Sequence, residues 1–140
     1  MHSIQSNTKE GALVLPAGDD LTGKEGYIVK ILNDGGTPKA NLPDAVTDPA
    51  LYVVLEGGAA GEDVTIEPLT PGRNFRAVAN STTIVAGDKL VAFASSHAGE
   101  LTEHTAGDAF IVGIAEETGD TAGQEVLFRP VLSYWKADAA

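Results

Sequence analysis

Ala106-Gly107-Asp108-Ala109-Phe110-Ile111-Val112-Gly113-Ile114-Ala115 decides how the rest of the chain is read. A polar glycine turn opens it, and a run of Val, Ile and Phe follows. Such a run is too short for a buried helix and too apolar for a loop, which makes it a strand. Its near-continuous apolarity requires cover on both faces, from the domain itself or from a neighbouring subunit.

The same grammar recurs outward in both directions. Short apolar runs stand at 12–15, 27–32, 51–56, 64–69, 75–79, 89–94, 110–115 and 125–132, closed by Gly, Pro, Asn or Asp. In Val64-Thr65-Ile66-Glu67 and Phe75-Arg76-Ala77-Val78 polar and apolar residues take turns, as a half-buried antiparallel strand requires. No window of a dozen residues carries a helical apolar stripe free of Gly or Pro, so long helices are not expected. The pattern predicts a mainly β fold: a compact antiparallel β-barrel or sandwich-like domain with Gly-rich turns and little helix.

Ala-Gly followed by Asp, Glu or Gln recurs at Ala17-Gly18-Asp19, Ala60-Gly61-Glu62, Ala86-Gly87-Asp88, Ala106-Gly107-Asp108 and Ala122-Gly123-Gln124. These read as turns, with glycine supplying positive φ and the polar side chain bonding nearby backbone. Their spacing is too uneven, and the flanking strands too dissimilar, for a solenoid. Residues 1–11 are polar and aperiodic, which predicts a flexible N-terminal arm, and 12–140 form one β-rich domain. Residues 33–49, with Pro38, Pro43 and Pro49, predict a long surface loop or embracing arm.

Composition narrows the function. With 43% hydrophobic residues but 6% aromatics, the core must be built mainly of aliphatic side chains. Twenty acids against nine scattered bases give a net charge of −11, which repels a phosphate backbone and disfavours direct nucleic-acid binding. Without cysteine there is no disulfide or thiolate chemistry. A polar N-terminus with no apolar core, and the lack of any ~18-residue apolar stretch, predict a soluble, unexported product with no membrane contact.

Chemistry is sparse. His97, Glu100, Glu103 and His104, with Asp108 nearby, gather metal-ligating residue types, but neither an H-E-x-x-H helix nor cysteine pairs accompany them. A solvated hairpin loop is the expectation, with no metal and no cofactor. Ser95-Ser96-His97 places nucleophile and base types together, yet sequence adjacency is not triad geometry and no G-x-S-x-G elbow occurs. Asp19-Asp20 and Glu116-Glu117 read as surface charge, and Gly57-Gly58-Ala59-Ala60-Gly61 as a hairpin connection, since a strand rather than a helix follows it. No catalytic residue is assigned. Tyr134-Trp135, the one aromatic pair, follows a predicted strand and either closes the core or forms a subunit contact.

Gly87-Asp88-Lys89-Leu90-Val91-Ala92, a Gly/Thr loop, 106–115, and then Ala122-Gly123-Gln124-Glu125-Val126-Leu127-Phe128 resemble the capsid decoration (cement) proteins of tailed bacteriophages, the lambda-type head-stabilising proteins among them. The likeness spans about 87–132 and rests on apolar pattern and glycine placement. It implies a non-enzymatic, β-rich protomer, usually a homotrimer, on the outer capsid surface of a virion. Its partner would be the major capsid protein, and its work to stabilise the shell against internal DNA pressure. The resemblance further implies an N-terminal arm that pairs with the capsid, here through His2, Ile4 and Gln5, by adding a strand to an exposed edge. A non-catalytic binding module of a phage fibre or carbohydrate-binding type is the alternative.

Overall fold

The computed structural model describes residues 11–137. Ten strands follow in order: β1 (Leu13–Pro16), β2 (Ile28–Asp34), β3 (Thr37–Asn41), β4 (Tyr52–Glu56), β5 (Asp63–Pro68), β6 (Phe75–Val78), β7 (Lys89–Ala92), β8 (Leu101–Glu103), β9 (Ala109–Ala115) and β10 (Glu125–Trp135). One turn of 3-10 helix, Ser95–His97, interrupts them. The mainly β, antiparallel expectation holds.

The strands divide into two five-stranded sheets, ordered β1-β5-β4-β2-β3 and β6-β10-β9-β7-β8. Strand for strand, these are the same topology. The equivalence extends to single residues. Leu13↔Ile66 in the first sheet recurs as Phe75↔Phe128 in the second, Ile28↔Val53 as Lys89↔Ile114, Ile31↔Ala40 as Ala92↔Leu101, and Val53↔Glu67 as Ile114↔Arg129. Each sheet curls until its outer strands meet in a parallel bridge, Ala17↔Ala40 in one and Ala79↔Leu101 in the other. The closing hydrogen bonds match as well: Gly18 N–H donates to Ala40 O and Asn80 N–H to Leu101 O, both at 2.8 Å. The chain is a tandem pair of small five-stranded barrels.

This organisation gives the Ala-Gly turns their meaning. Ala60-Gly61-Glu62 and Ala122-Gly123-Gln124 are the same turn in the two barrels, each leading into the strand that holds the next one in register. Gly61, Gly87, Gly107 and Gly123 have positive φ, as expected of them. Gly18 does not, and serves differently, because a Cβ there would overlap the Asn41 side chain.

Inward-facing positions are apolar in both barrels, as alternation along a barrel strand dictates. Val29, Ala40, Val54, Val64 and Ile66 fill the first, and Leu90, Leu101, Ala115, Val126 and Phe128 stand at the same places in the second. The second cluster also takes in Ile28, Ala50, Val53 and Leu69 from the outside of the first barrel. One continuous core therefore joins the halves. It covers one face of β9 through Phe110 and Val112, while Ala109 and Ile111 on the other face cluster with Val91, so that all but one residue of the strand are buried, as the run at 109–115 required.

Two expectations need correction. Residues 33–49 are not one long loop: β2 turns at Gly35-Gly36 and returns as β3, with Asp34↔Thr37 closing the hairpin. β3 escapes pattern reading because it is a largely exposed strand carrying Pro38, whose missing N–H is tolerated at such a place. The segment around His97 and His104 is likewise not simply a solvated loop, since β8 lies within it and Glu100 is buried there.

Candidate assembly surface

β10 runs on past the predicted strand end and carries Tyr134 and Trp135 within it, paired with Phe110 and Ala109 of β9. The register shifts between Pro130 and Ser133, where Leu132 takes a positive φ of 55°. A bulge of this kind re-aims the strand beyond it. Tyr134 packs edge-on against Phe110, with ring centroids 5.2 Å apart. Trp135 meets His104 at 5.8 Å and holds the Lys89 ammonium 4.6 Å from its ring centre. Tyr134 is nonetheless 66% exposed and Trp135 44%. The fully buried aromatic is Phe128. Beside the pair lies a hollow of about 280 Å³ lined by Thr47, Asp108, Ala109, Tyr134, Trp135 and Lys136.

The residue types gathered between His97 and His104 separate in space. Glu100 turns inward, 8% exposed, and accepts a hydrogen bond from the Tyr27 hydroxyl at 3.0 Å. His97 Nδ1 lies 3.1 Å from the other carboxylate oxygen, near enough for an ion pair but not aligned as a hydrogen bond. His104 instead bonds through Nε2 to Gly107 O at 2.9 Å. Glu103 turns to the hydroxyl of Thr83. Among the described residues no group of three or more His, Asp or Glu converges as a metal site. The Tyr27–Glu100 contact ties the first barrel to the second. Burial, then the Glu100 hydrogen bond and its charge, hold the Tyr27 hydroxyl above its ordinary value of 10.0. Nothing in sequence marks Glu100 out, because one glutamate in a polar stretch looks like any other.

The basic residues are largely taken up inside the protein. Lys30 bridges Asp44 and Asp48, both at 2.8 Å, while Lys39 pairs with Asp34, Arg73 with Glu67, Arg76 with Glu117 and Arg129 with Glu116. Glu116-Glu117 is thus a pair of anchors on one sheet rather than loose surface charge. Glu117 also accepts from Leu127 N–H at 2.9 Å, and the hydrogen bonds from Arg76 and Leu127 draw its carboxyl below the ordinary 4.5. What remains outside is net negative charge with no cluster of unpaired cations among the described residues. No helix among those residues is long and apolar enough to cross a membrane. His2, Ile4 and Gln5 lie outside the described residues.

No protein-family model matches the chain, and no curated protein matches it in sequence. A solved structure does match its shape: the head fiber gp8.5 N base in bacteriophage phi29, at a TM-score of 0.68 and 17% identity. The likeness is one of fold. It covers 89% of this chain and 97% of that one, so both barrels and their mutual arrangement belong to it. Resemblance to the head-fiber base is therefore not a matter of one common small barrel occurring twice.

Proposed function

We propose that this chain is a capsid decoration protein, bound as a non-enzymatic homotrimer to the outer surface of a tailed-phage head, where it clamps major capsid proteins against the outward pressure of packaged DNA. The observation that carries the reading is the two-barrel fold, shared over 89% of this chain with a protein of a phage head. Three further features support it. Acids outnumber bases by more than two to one, which keeps the protein off the genome. The candidate catalytic types around His97 are spent on internal contacts. And exposed aromatics at the end of β10 suit a protein contact. Many copies each making a modest contact suffice, because multivalency multiplies weak binding. Within this reading His2, Ile4 and Gln5 reach the capsid as an added strand, and Tyr134 and Trp135 line the contact between subunits.

The test mixes the purified protein with undecorated heads of the phage that encodes it. Co-sedimentation, with decorated heads rupturing at higher temperature than bare ones, is the expected result. Unchanged rupture at saturating protein defeats the proposal. Deleting residues 1–10 should abolish binding while leaving the circular dichroism spectrum intact.

A second reading, a fibre-base module, is favoured by the identity of the matching structure. Electron microscopy of decorated heads separates the two, since a fibre base leaves a projecting shaft and a cement protein a low knob. A carbohydrate-binding role would show as glycan binding lost in Trp135→Ala.

A further inference from the structure

The two barrels are equivalent, but the contact between them is not reciprocal. Val78 N–H of the second barrel donates to Gly26 O of the first at 2.9 Å, and Ile28 N–H of the first donates to Gly99 O of the second at 2.7 Å. Around these bonds the face of the first barrel that carries Ile28, Val53 and Leu69 receives the second barrel, whose Phe75 and Ala77 share one buried cluster with them. A two-fold pair would repeat each contact with the roles exchanged. Here the exchanged positions do something else. The residue equivalent to Val78 is Pro16, which has no N–H to donate. The residue equivalent to Ile28, fully buried, is the exposed Lys89. Leu69, 5% exposed, corresponds to Val131, 43% exposed.

The contact is therefore head to tail, and among the described residues each chain carries one version of both its faces that makes no barrel–barrel contact. The second barrel keeps the receiving face, at Gly87, Lys89 and Val131. The first keeps the inserting face, at Leu13 and Pro16. Faces of this kind are complementary between copies, and unless the rotation closes a ring they generate open filaments. For an isolated chain with such faces, runaway growth is the default hazard.

We infer that the barrel–barrel contact is built to be made once per chain, and that Pro16 and Lys89 block its two free ends against a second copy. Pro16 removes the backbone donor that the inserting face needs. Lys89 puts an ammonium where the receiving face needs a buried isoleucine, and an unpaired charge resists burial. Trp135 reinforces this end by lying against that ammonium. The device acts on the same edge-pairing problem that prolines and lysines solve on exposed strands. It does not depend on the capsid reading, and it leaves a closed trimer through other surfaces untouched.

The faces are opened one at a time and then together. Lys89→Ile frees the receiving face and Pro16→Val the inserting face. In analytical ultracentrifugation each variant alone should sediment as the native chain does, while an equimolar mixture should form faster-sedimenting complexes that hold the two variants in equal number. The double variant should grow with concentration and reach no plateau. A mixture and a double variant that both sediment like the native chain, with native circular dichroism, would overturn the inference. So would unlimited growth of the native chain itself, a measurement that needs no variant to fold.

Discussion

Gly113 is where the second barrel is tightest, and Gly113→Ala tests how its core was fitted. A Cβ at this position would overlap the Arg129 carbonyl oxygen, come within 3.0 Å of the Arg129 carbonyl carbon, and lie 2.7 Å from Cδ2 of Phe128. The Phe128 ring can tilt, but the Arg129 backbone belongs to the β9–β10 ladder and cannot yield without opening it. Overpacking of a close-packed core typically costs about 1–3 kcal/mol, and a backbone obstacle places this substitution near the upper figure. Native stabilities run to roughly 5–15 kcal/mol, so the loss is large but not fatal. With a urea m-value of about 2 kcal/mol/M, the unfolding midpoint should fall by about 1–1.5 M. Phe128→Leu separates the two obstacles. Alone it leaves a cavity at a fully buried site and costs about 1–2 kcal/mol, but in the Gly113→Ala background it relieves one clash and should cost about 0.5–1 kcal/mol less. A loss under about 0.5 kcal/mol for Gly113→Ala, or strict additivity in the double variant, would refute the packing argument.

Three further outcomes follow from the ion pairs and the shared core. Burial pushes the Asp48 carboxyl up, but Lys30 and the Asp44 and Ala45 amides outweigh it and hold the value below the ordinary 3.8. Its contribution is therefore present above that pH and lost as the pH falls through the lowered value, so Asp48→Asn should cost about 1–2 kcal/mol at pH 7 in urea unfolding and progressively less below pH 3.8. Tyr27 has the opposite sign: raised above 10.0, it favours the folded chain below that pH and loses this contribution above it. Alkaline difference absorbance should show its phenolate late, and Glu100→Gln should bring it earlier; an unmoved titration would mean Glu100 does not govern it. Finally, because Ile28, Val53 and Leu69 bind the barrels into one core, Trp135 fluorescence and far-ultraviolet circular dichroism should report one coincident unfolding transition. Separate midpoints would show two independently folding barrels.

The strands were legible where burial is strong. Each apolar run became a strand, because a half-buried or fully buried ribbon has to write its apolar face into consecutive or alternating residues. β3 was not legible: Thr-Pro-Lys-Ala-Asn buries little beyond Ala40, so no periodicity is demanded of it. A signal was nonetheless present in Asp34-Gly35-Gly36, a two-glycine turn between runs, and both glycines take positive φ as a tight hairpin of that kind requires. The duplication was legible in one place only, where Ala-Gly-Glu-Asp-Val-Thr-Ile-Glu-Pro at 60–68 faces Ala-Gly-Gln-Glu-Val-Leu-Phe-Arg-Pro at 122–130. Elsewhere the halves have exchanged volumes, and pattern alone does not align Tyr52 with Gly113. The ties of the candidate site were least legible, since Lys30, Glu100 and Glu117 owe their roles to partners far away in the chain.

That exchange of volumes explains how one topology yields two unlike barrels. In the first, Tyr52 and Ile66 stand where the second has Gly113 and Phe128. The large residue has moved from β4 to β10, and a glycine has taken the vacated place so that the ring can lie across the opposite strand. Bulk is exchanged between facing positions of the interior, while the outward faces diverge. At the position of Lys30, which bridges two aspartates, the second barrel has the buried Val91, clustered with Ala109 and Ile111. Close packing tolerates such swaps when total volume and pattern are kept, which leaves the outer faces to be shaped by what each must meet. For the first barrel that is the second barrel on one side and solvent on the other. For the second it is the first barrel on one side and its own C-terminal strand on the other, where the bulge at Leu132 carries Trp135 over Lys89 at the position that in the first barrel receives a neighbour.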